Sequence, residues 1–290
     1  MKLLAVPNIS EGRDFAVLDR LQDSLGNDVS LLDRHTDIDH NRAVFTVTGT
    51  PADLDRSLVG LAAGAREIDM SKWTGLHPAI GALDVCPVVW LDSDDRDRAN
   101  ALAASVAQQI GEMGIPVFLY GELASSEERR ERSWFREGGV DALWQRMTSG
   151  ALIPDYGPNR PHPKAGGCLI TSRPPLAAFN VELDTGDIGV ARAVASEVRE
   201  SGGGPTGLRA IGLMLSTGRA QISMNVHDPA SLPLGEVVDR VSEVAARHGA
   251  RAIEAELIGL VPEAAMAGYP ESVPIRDFDP GFHIIEHRLR

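Results

Sequence analysis

The second half of the chain has a pattern of apolar residues that strongly limits how it can fold. Some of its segments place apolar residues at every second position, as strands do, and others repeat them at helical spacing. The predicted strands cover residues 177–183, 208–215, 220–227 and 252–259, and the predicted helices cover 188–198 and 234–246. This order, βαββαβ, is the ferredoxin-like plan, and we expect both helices to lie on one face of the sheet.

The opposite face of this predicted sheet is polar. Because side chains alternate between faces along a strand, one face collects amides, a hydroxyl, an imidazole and carboxylates. These residues are Asn180, Glu182, Gln221, Ser223, Asn225, His227, Glu254 and Glu256. A face that simply meets water is one explanation. The near absence of Lys, Arg and Thr favours the other, a polar ligand cleft or a hydrated interface with the first half.

The first half begins with the same order of elements. Predicted strands cover residues 3–6, 29–33, 43–48, 83–90 and 115–120, and predicted helices cover 15–25, 51–68 and 94–110. A polar loop at 35–42 joins the second and third strands. The repeated βαββα order suggests a distant structural duplication, without any repeat at the level of residues. We therefore predict an α/β chain of the α+β type with two βαββαβ-like, ferredoxin-like subdomains and mixed or antiparallel sheets.

Two segments between these halves lack a clear periodic pattern. Residues 122–136 form a dense run of charges, which predicts a solvated helix or lid. Residues 155–167 are rich in Gly and Pro and form the longest stretch without predicted structure. Long loops in compact proteins are usually functional or disordered.

Charge and cysteine content exclude several classes of function. The net charge is −13 and the pI about 5.0, so strong binding to nucleic acid or to an anionic membrane is not expected. Cys86 and Cys168 lie far apart without a CxxC or Cys/His spacing, which argues against a zinc site or a disulfide framework. We expect free thiols, a cytoplasmic protein and no bound metal. No apolar stretch approaches the ~20 residues that span a bilayer.

His77 lies in a turn framed by Gly75 and Pro78, directly before an apolar run that predicts a buried strand. A histidine on a short, proline-stiffened loop is well placed for acid–base chemistry on a bound molecule. Taken alone, the same pattern also fits an ordinary surface histidine.

Short motifs typical of one family run through nearly the whole chain in the family's order. They lie at residues 6–14, 39–42, 68–70, 75–78, 81–85, 115–117 with Tyr120, 157–158, 162–166, 173–176, 178–181, 221–225, 256–262, 279–280 and 288–289. On these motifs the chain resembles the formiminotransferase domain of the formiminotransferase-cyclodeaminase family, in its stand-alone bacterial form.

The resemblance implies a fold and a function. The fold would be an N-terminal subdomain at 1–173 and a C-terminal, ferredoxin-like subdomain at 174–290, with a ligand cleft between them. The function would be a folate-dependent transferase of histidine degradation, moving a formimidoyl group between N-formimidoyl-L-glutamate and N5 of tetrahydrofolate. Tetrahydrofolate would be a co-substrate, and the family implies a homodimer.

The resemblance also assigns residues. The proton-transferring histidine of the family falls on His77. The folate-binding segment falls on Gly157, Pro158, Asn159, Arg160, Pro161, His162, Pro163, Lys164, Ala165 and Gly166. The carboxylates of the two substrates need cations and amides. Candidates for these contacts are Asn8, Asn41, Arg42, Asn180 and Asn225, with Arg160, Lys164 and Arg173 as further cations.

Two residues beside the histidine depart from the family pattern. Leu76 stands where the family usually has Glu, and Ala79 where it usually has Arg. Since an arginine can hold a carboxylate, its absence leaves open the same chemistry with another amino acid such as glycine. A non-catalytic folate-binding paralogue is a second alternative. A metal hydrolase using His35, His40 and His77 with Asp37 or Asp39 is a third, although that spacing matches no ligand motif.

Overall fold

The computed structural model describes residues 2–290, which divide into two units on either side of the Pro174–Pro175 bond. The strands of the first unit are β1 (Leu3–Ala5), β2 (Asn8–Ile9), β3 (Ser30–Asp37), β4 (Arg42–Gly49), β5 (Leu83–Val89), β6 (Val117–Leu119) and β7 (Cys168–Arg173). Its helices are α1 (Phe15–Ser24), α2 (Pro51–Ala65), α3 (Arg96–Glu112), α4 (Arg132–Arg136) and α5 (Gly139–Thr148).

The first unit contains one mixed sheet. β1 and β2 lie end to end between β4 and β5 and pair antiparallel with both, while β3 pairs with the outer edge of β4. Beyond β5, the sheet continues with β7 and then β6, both parallel to their neighbours. The antiparallel part has the ferredoxin-like arrangement, and the parallel strands extend it.

Two apolar layers cover this sheet. The largest core packs α1, α2 and α3 against residues such as Phe45 and Val88. A smaller core packs α4 and α5 around Phe118 and Phe135, together with Val85 and Leu169. Since α4 and α5 lie over the end of the sheet made by β5, β7 and β6, they bring their side chains close to the segment that precedes β5.

The second unit has the predicted fold. Its strands are β8 (Ala177–Leu183), β9 (Leu208–Met214), β10 (Ala220–Val226) and β11 (Ala252–Ile258), and its helices are α6 (Ile188–Val198), α7 (Leu234–Arg247), α8 (Pro280–His283) and α9 (Ile285–Arg288). The sheet is antiparallel in the order β11-β8-β10-β9. One core joins α6 and α7 to the apolar face of the strands. The ferredoxin-like prediction is confirmed here.

The register confirms the polar face as well. Asn180 lies opposite Ser223 and Glu256, and Glu182 lies opposite Gln221 and Glu254. The apolar residues between them, such as Val181 and Ile222, are fully buried in the core.

Some details of the first unit differ from the sequence prediction. The polar loop at 35–42 is shorter than expected, because β3 continues through Asp37 along β4. Helix α5 and strand β7 were not predicted. β7 is a short strand with buried residues on both faces, so it lacks the alternation that identifies a half-exposed strand.

Candidate active site

A cleft of about 570 Å³ opens in the first unit beside His77. Three segments that are distant in sequence form its wall: the turn around His77, the region of α4 and α5, and the end of the 155–167 loop. Among the residues that line it are Trp73, Leu76, His77, Ala79, Arg136, Val140, Trp144, Pro161, His162, Pro163, Lys164 and Gly166. The cleft therefore gathers the predicted acid–base histidine and the second half of the predicted folate-binding segment.

The His77 ring is buried, with 9% of the residue exposed. Its Nδ1 lies 2.9 Å from the carbonyl oxygen of Pro78. Because a carbonyl oxygen only accepts, Nδ1 must carry the proton, which leaves a lone pair on Nε2. Burial lowers the pKa of His77 well below 6.5, and the charges of Arg42 and Arg136 lower it further. The ring is therefore neutral at neutral pH and able to accept a proton.

Asn41 stabilises the turn that contains His77 through hydrogen bonds. Its backbone has φ of 47°, and its side chain accepts a hydrogen bond from the Gly12 amide at 2.9 Å. The same side chain donates to the carbonyl of Thr74 at 3.0 Å, and Trp73 Nε1 donates to the Asn41 carbonyl at 3.1 Å. These contacts occupy the Asn41 amide with the chain's own backbone, so it shapes the turn. Substrate binding by Asn41 stays a prediction.

His40 lies close to the same turn. Its ring centroid is 6.1 Å from that of His77, and only 5% of the residue is exposed. Within residues 2–290, its buried Nε2 has no hydrogen-bond partner. A Cβ on Gly75 would lie 2.3 Å from the His40 carbonyl oxygen, so this close approach of the two turns requires glycine at position 75.

The end of the predicted folate-binding segment folds into a tight turn that His162 closes. The residue pairs with Gly166 through two backbone hydrogen bonds of 2.9 and 3.1 Å, and its Nδ1 accepts from the Ala165 amide at 3.0 Å. The turn is joined to the segment after His77, since the Ala82 amide donates to Ala165 at 2.9 Å. The ammonium of Lys164 lies 3.0 Å from a carboxylate oxygen of Glu67.

The first half of the same segment lies outside the cleft wall. Gly157 has φ of +83°, and a Cβ there would lie 2.4 Å from the Ile115 carbonyl oxygen, so glycine is required by the backbone. Asn159 donates to the Met147 carbonyl at 3.4 Å, and Arg160 is exposed. The predicted ten-residue segment therefore divides, and only Pro161–Gly166 borders the cleft near His77.

A buried ion pair links α4 to the strand after His77. Arg136 Nη2 lies 2.5 Å from Asp84 Oδ2, with 12% and 3% of the two side chains exposed. The other oxygen, Asp84 Oδ1, accepts from the Ile80 amide at 2.8 Å. The prediction that 122–136 is a solvated surface is therefore wrong for its end, because Arg136 is paired and Phe135 is fully buried. Local charge density does not reveal a partner 52 residues away.

Further arginines surround this pair. Burial lowers the pKa of Arg42 to about 9 and that of Arg173 to about 10. The guanidinium of Arg132 lies 6.0 Å from the centre of the Tyr120 ring, which it faces. The carboxylate of Asp84 offsets burial at Arg42, while the charges of Arg136 and Arg132 oppose it. The first unit thus has a strongly cationic site, although the whole chain is acidic.

Sequence reasoning missed several of these residues. Asp84 and Tyr120 lie within motifs that carry the resemblance, so those motifs could have pointed to them. Arg132 and Arg136 are hidden in a run of charges, and Trp144 lies in an unpredicted helix. Only the packing of α4 and α5 identifies these three.

The remaining candidates for substrate binding occupy two places. Asn8 lies in β2, is 6% exposed, and donates to the Val6 carbonyl at 2.7 Å. Asn180 and Asn225 lie on the polar face of the second unit, and Asn180 donates to Glu256 at 3.3 Å.

Arginines neutralise much of that polar face. Arg276 pairs with Glu182 at 2.5 Å and also with Glu254, while Arg219 lies 3.2 Å from Glu182. The carboxylates of the face are thus held within the second unit by its own cations, which the strand pattern alone could not reveal.

Among residues 2–290, no group of three or more His, Cys, Asp and Glu side chains is arranged to hold a metal ion. The histidines and aspartates of the metal-hydrolase alternative therefore do not form a ligand set there. Within the same residues, none of the helices is long and apolar enough to cross a bilayer.

Comparison with known proteins identifies the family. The model of the formiminotransferase domain, N-terminal subdomain, matches residues 2–173, and that of the formiminotransferase domain matches 178–270. A glutamate formimidoyltransferase of Streptococcus pyogenes is 37% identical, covering 98% of this chain and 97% of the relative. One from Thermoplasma acidophilum is 34% identical, covering 98% and 96%. The formimidoyltransferase-cyclodeaminase of Gallus gallus is 34% identical over 90% of this chain and 50% of the relative. The chain belongs to the formiminotransferase family.

Proposed function

We propose that this chain is a glutamate formimidoyltransferase, which moves a formimidoyl group between N-formimidoyl-L-glutamate and N5 of tetrahydrofolate. Family membership over nearly the whole chain supports this reaction. One observation links the proposed reaction to residues of this chain. The neutral His77, with Nδ1 bound to Pro78 and Nε2 available, borders the same cleft as Pro161–Gly166.

The proposed chemistry needs one group that first accepts and then returns a proton. As N5 of the folate forms a bond to the formimidoyl carbon, that nitrogen must lose its proton. His77 Nε2 accepts it and then gives it to the amino-acid nitrogen as the bond from carbon to that nitrogen breaks. No protein nucleophile is required, because the amine attacks directly. Burial raises the pKa of the Cys86 thiol to about 12, which keeps it protonated and unreactive.

The turn at Pro161–Gly166 is the part of the predicted folate segment that we assign to the folate. It borders the cleft, and His162 holds the turn through its ring nitrogen. Trp144 on α5 borders the same cleft and offers an aromatic face to a flat ring. Arg42 is the cation that we assign to a substrate carboxylate.

A transfer assay with tetrahydrofolate and formiminoglutamate tests the function. We expect His77→Ala to lower kcat by roughly 10²–10⁴, the usual contribution of a general acid–base group. His248→Ala is a matched control, because His248 lies in the second unit and its ring pairs with Glu197. Unchanged turnover of the His77 variant would remove the assignment of this residue. Tight folate binding without transfer by the wild type would establish the non-catalytic alternative.

The second candidate is the same transfer with glycine as the amino acid. Leu76 and Ala79 favour it, since both border the cleft beside His77 and neither can bind a side-chain carboxylate. The ratio of kcat/KM for formiminoglutamate to that for formiminoglycine separates the two. A ratio well above one supports the glutamate enzyme.

We further propose a homodimer that acts in histidine degradation in the cytoplasm, with subdomains at 1–173 and 174–290. The family resemblance is the support for each of these statements. Light scattering after size exclusion tests the dimer, which would have twice the chain mass of 31.1 kDa.

A further inference from the structure

The cationic site beside His77 has more positive charge than the chain neutralises. Arg136 is paired with Asp84, and Arg173 donates to the Pro174 carbonyl. In the part of the chain that the structure describes, Arg132 has no carboxylate within ion-pair distance. Clustered and partly buried guanidiniums without carboxylates are costly, because burial removes the water that solvates them. A bound anion would relieve this cost.

Arg42 likewise forms no ion pair within residues 2–290, although the charge of Asp84 acts on it. Its buried Nε lacks a hydrogen-bond partner within residues 2–290. Arg42 follows His40 and Asn41 in the chain, and the His40 ring centroid lies 6.1 Å from that of His77. Two cations that form no ion pair within residues 2–290 match a ligand with two carboxylates.

Arg132 lies on the same face of α4 as Arg136, since the two residues are four positions apart. Arg136 borders the cleft that also contains His77. Arg132 therefore lies one helical turn from a residue of the cleft wall, on the same face of α4. A guanidinium binds a carboxylate with two parallel hydrogen bonds, so it also discriminates between ligands with one and two carboxylates.

We propose that Arg132 is a specificity-determining residue that, with Arg42, binds the carboxylates of the amino-acid substrate and selects a dicarboxylic amino acid over glycine. This inference rests on the proposed function. The folate also carries carboxylates, in its glutamyl tail. The aminobenzoyl group separates that tail from N5, whereas both carboxylates of formiminoglutamate lie within a few bonds of the reacting carbon. Arginines close to His77 therefore fit the amino-acid substrate.

Steady-state kinetics of Arg132→Gln tests the proposal, with Arg130→Gln as the matched control. Arg130 belongs to the same run of charges but is exposed and paired loosely with Glu127 at 3.8 Å. Losing a charge-assisted hydrogen-bond pair should raise KM for formiminoglutamate about 10- to 100-fold, with little change in kcat. KM for formiminoglycine should change much less, so the preference for glutamate should collapse. The control should match the wild type.

A second pair of substrates identifies the carboxylate that is bound. KM for tetrahydrofolate and for tetrahydropteroate, which lacks the glutamyl tail, should both stay unchanged in Arg132→Gln. A rise for tetrahydrofolate alone would show that Arg132 binds the folate tail and would overturn the proposal. An unchanged preference for formiminoglutamate would overturn it too.

Binding measurements test the proposal where a variant or a substrate gives no measurable turnover. By calorimetry, Arg132→Gln should bind L-glutamate more weakly than the wild type does. Its affinity for glycine should equal that of the wild type. If that variant fails to fold, Arg132→Lys is used instead, because it keeps the charge. Its KM for formiminoglutamate should rise by less than the 10- to 100-fold expected for Arg132→Gln. Absence of transfer by the wild type with either amino acid would refute the proposed function. Wild-type transfer with preserved selectivity in the variant would refute only this inference.

Discussion

The pair formed by Asp84 and Arg136 should be the most sensitive ionic contact of the first unit. Asp84 is 2% exposed, and its two oxygens accept from the Arg136 guanidinium at 2.5 Å and from the Ile80 amide at 2.8 Å. Asp84→Asn keeps the shape and one acceptor for the Ile80 amide. It removes the negative charge and places the side-chain NH2 group where an oxygen accepted from Arg136. Two sets of hydrogen-bond donors then face each other. Breaking a buried pair on one side costs about 3–5 kcal/mol of folding free energy.

The same change also affects neighbouring arginines. Asp84 is the carboxylate that offsets the burial of Arg42, so its loss leaves the cationic site without that compensation. Since 1 kcal/mol shifts Tm by about 2–4 °C in a domain of this size, we expect Tm to fall by roughly 6–20 °C. Calorimetry or circular dichroism measures the shift.

Glu122→Gln is the matched control for this experiment. Its pair with Arg96 has a similar distance of 2.8 Å, but the side chains are 25% and 55% exposed. Exposed pairs contribute about 0–1 kcal/mol, so Tm should change by a few degrees at most. An Asp84→Asn variant that loses no more stability than the control would refute the argument that burial makes this pair important.

Two further predictions concern the segment that carries the histidine. Because burial and nearby cations lower the pKa of His77 well below 6.5, its active neutral form is present above that pH and is lost only as the pH falls further. The profile of kcat/KM should therefore be flat through pH 6.5, and an inflection centred there would contradict the assigned environment. Gly81→Ala should destabilise the fold severely, since the new Cβ would lie 1.8 Å from the Gly167 carbonyl oxygen. Urea unfolding measures this loss, and a midpoint equal to that of the wild type would contradict the close approach.

The sequence by itself determined the elements of the second unit. Regular alternation and helical spacing identified β8–β11, α6 and α7, and the register confirmed which residues share the polar face. These features depend on local periodicity, which a single chain displays directly. The motifs that run along the chain also determined the family, and they predicted His77 as the proton-transferring residue.

Tertiary structure decided how the site is assembled. The turn at Pro161–Gly166 and the histidine turn border one cleft, and a backbone hydrogen bond from Ala82 to Ala165 helps to hold them together. Arg136 changes from an expected surface charge to a buried partner of Asp84 because α4 and α5 pack over the end of the sheet. Ion pairs and packing of this kind join residues far apart in the chain, and their energy depends on burial, which no local pattern encodes.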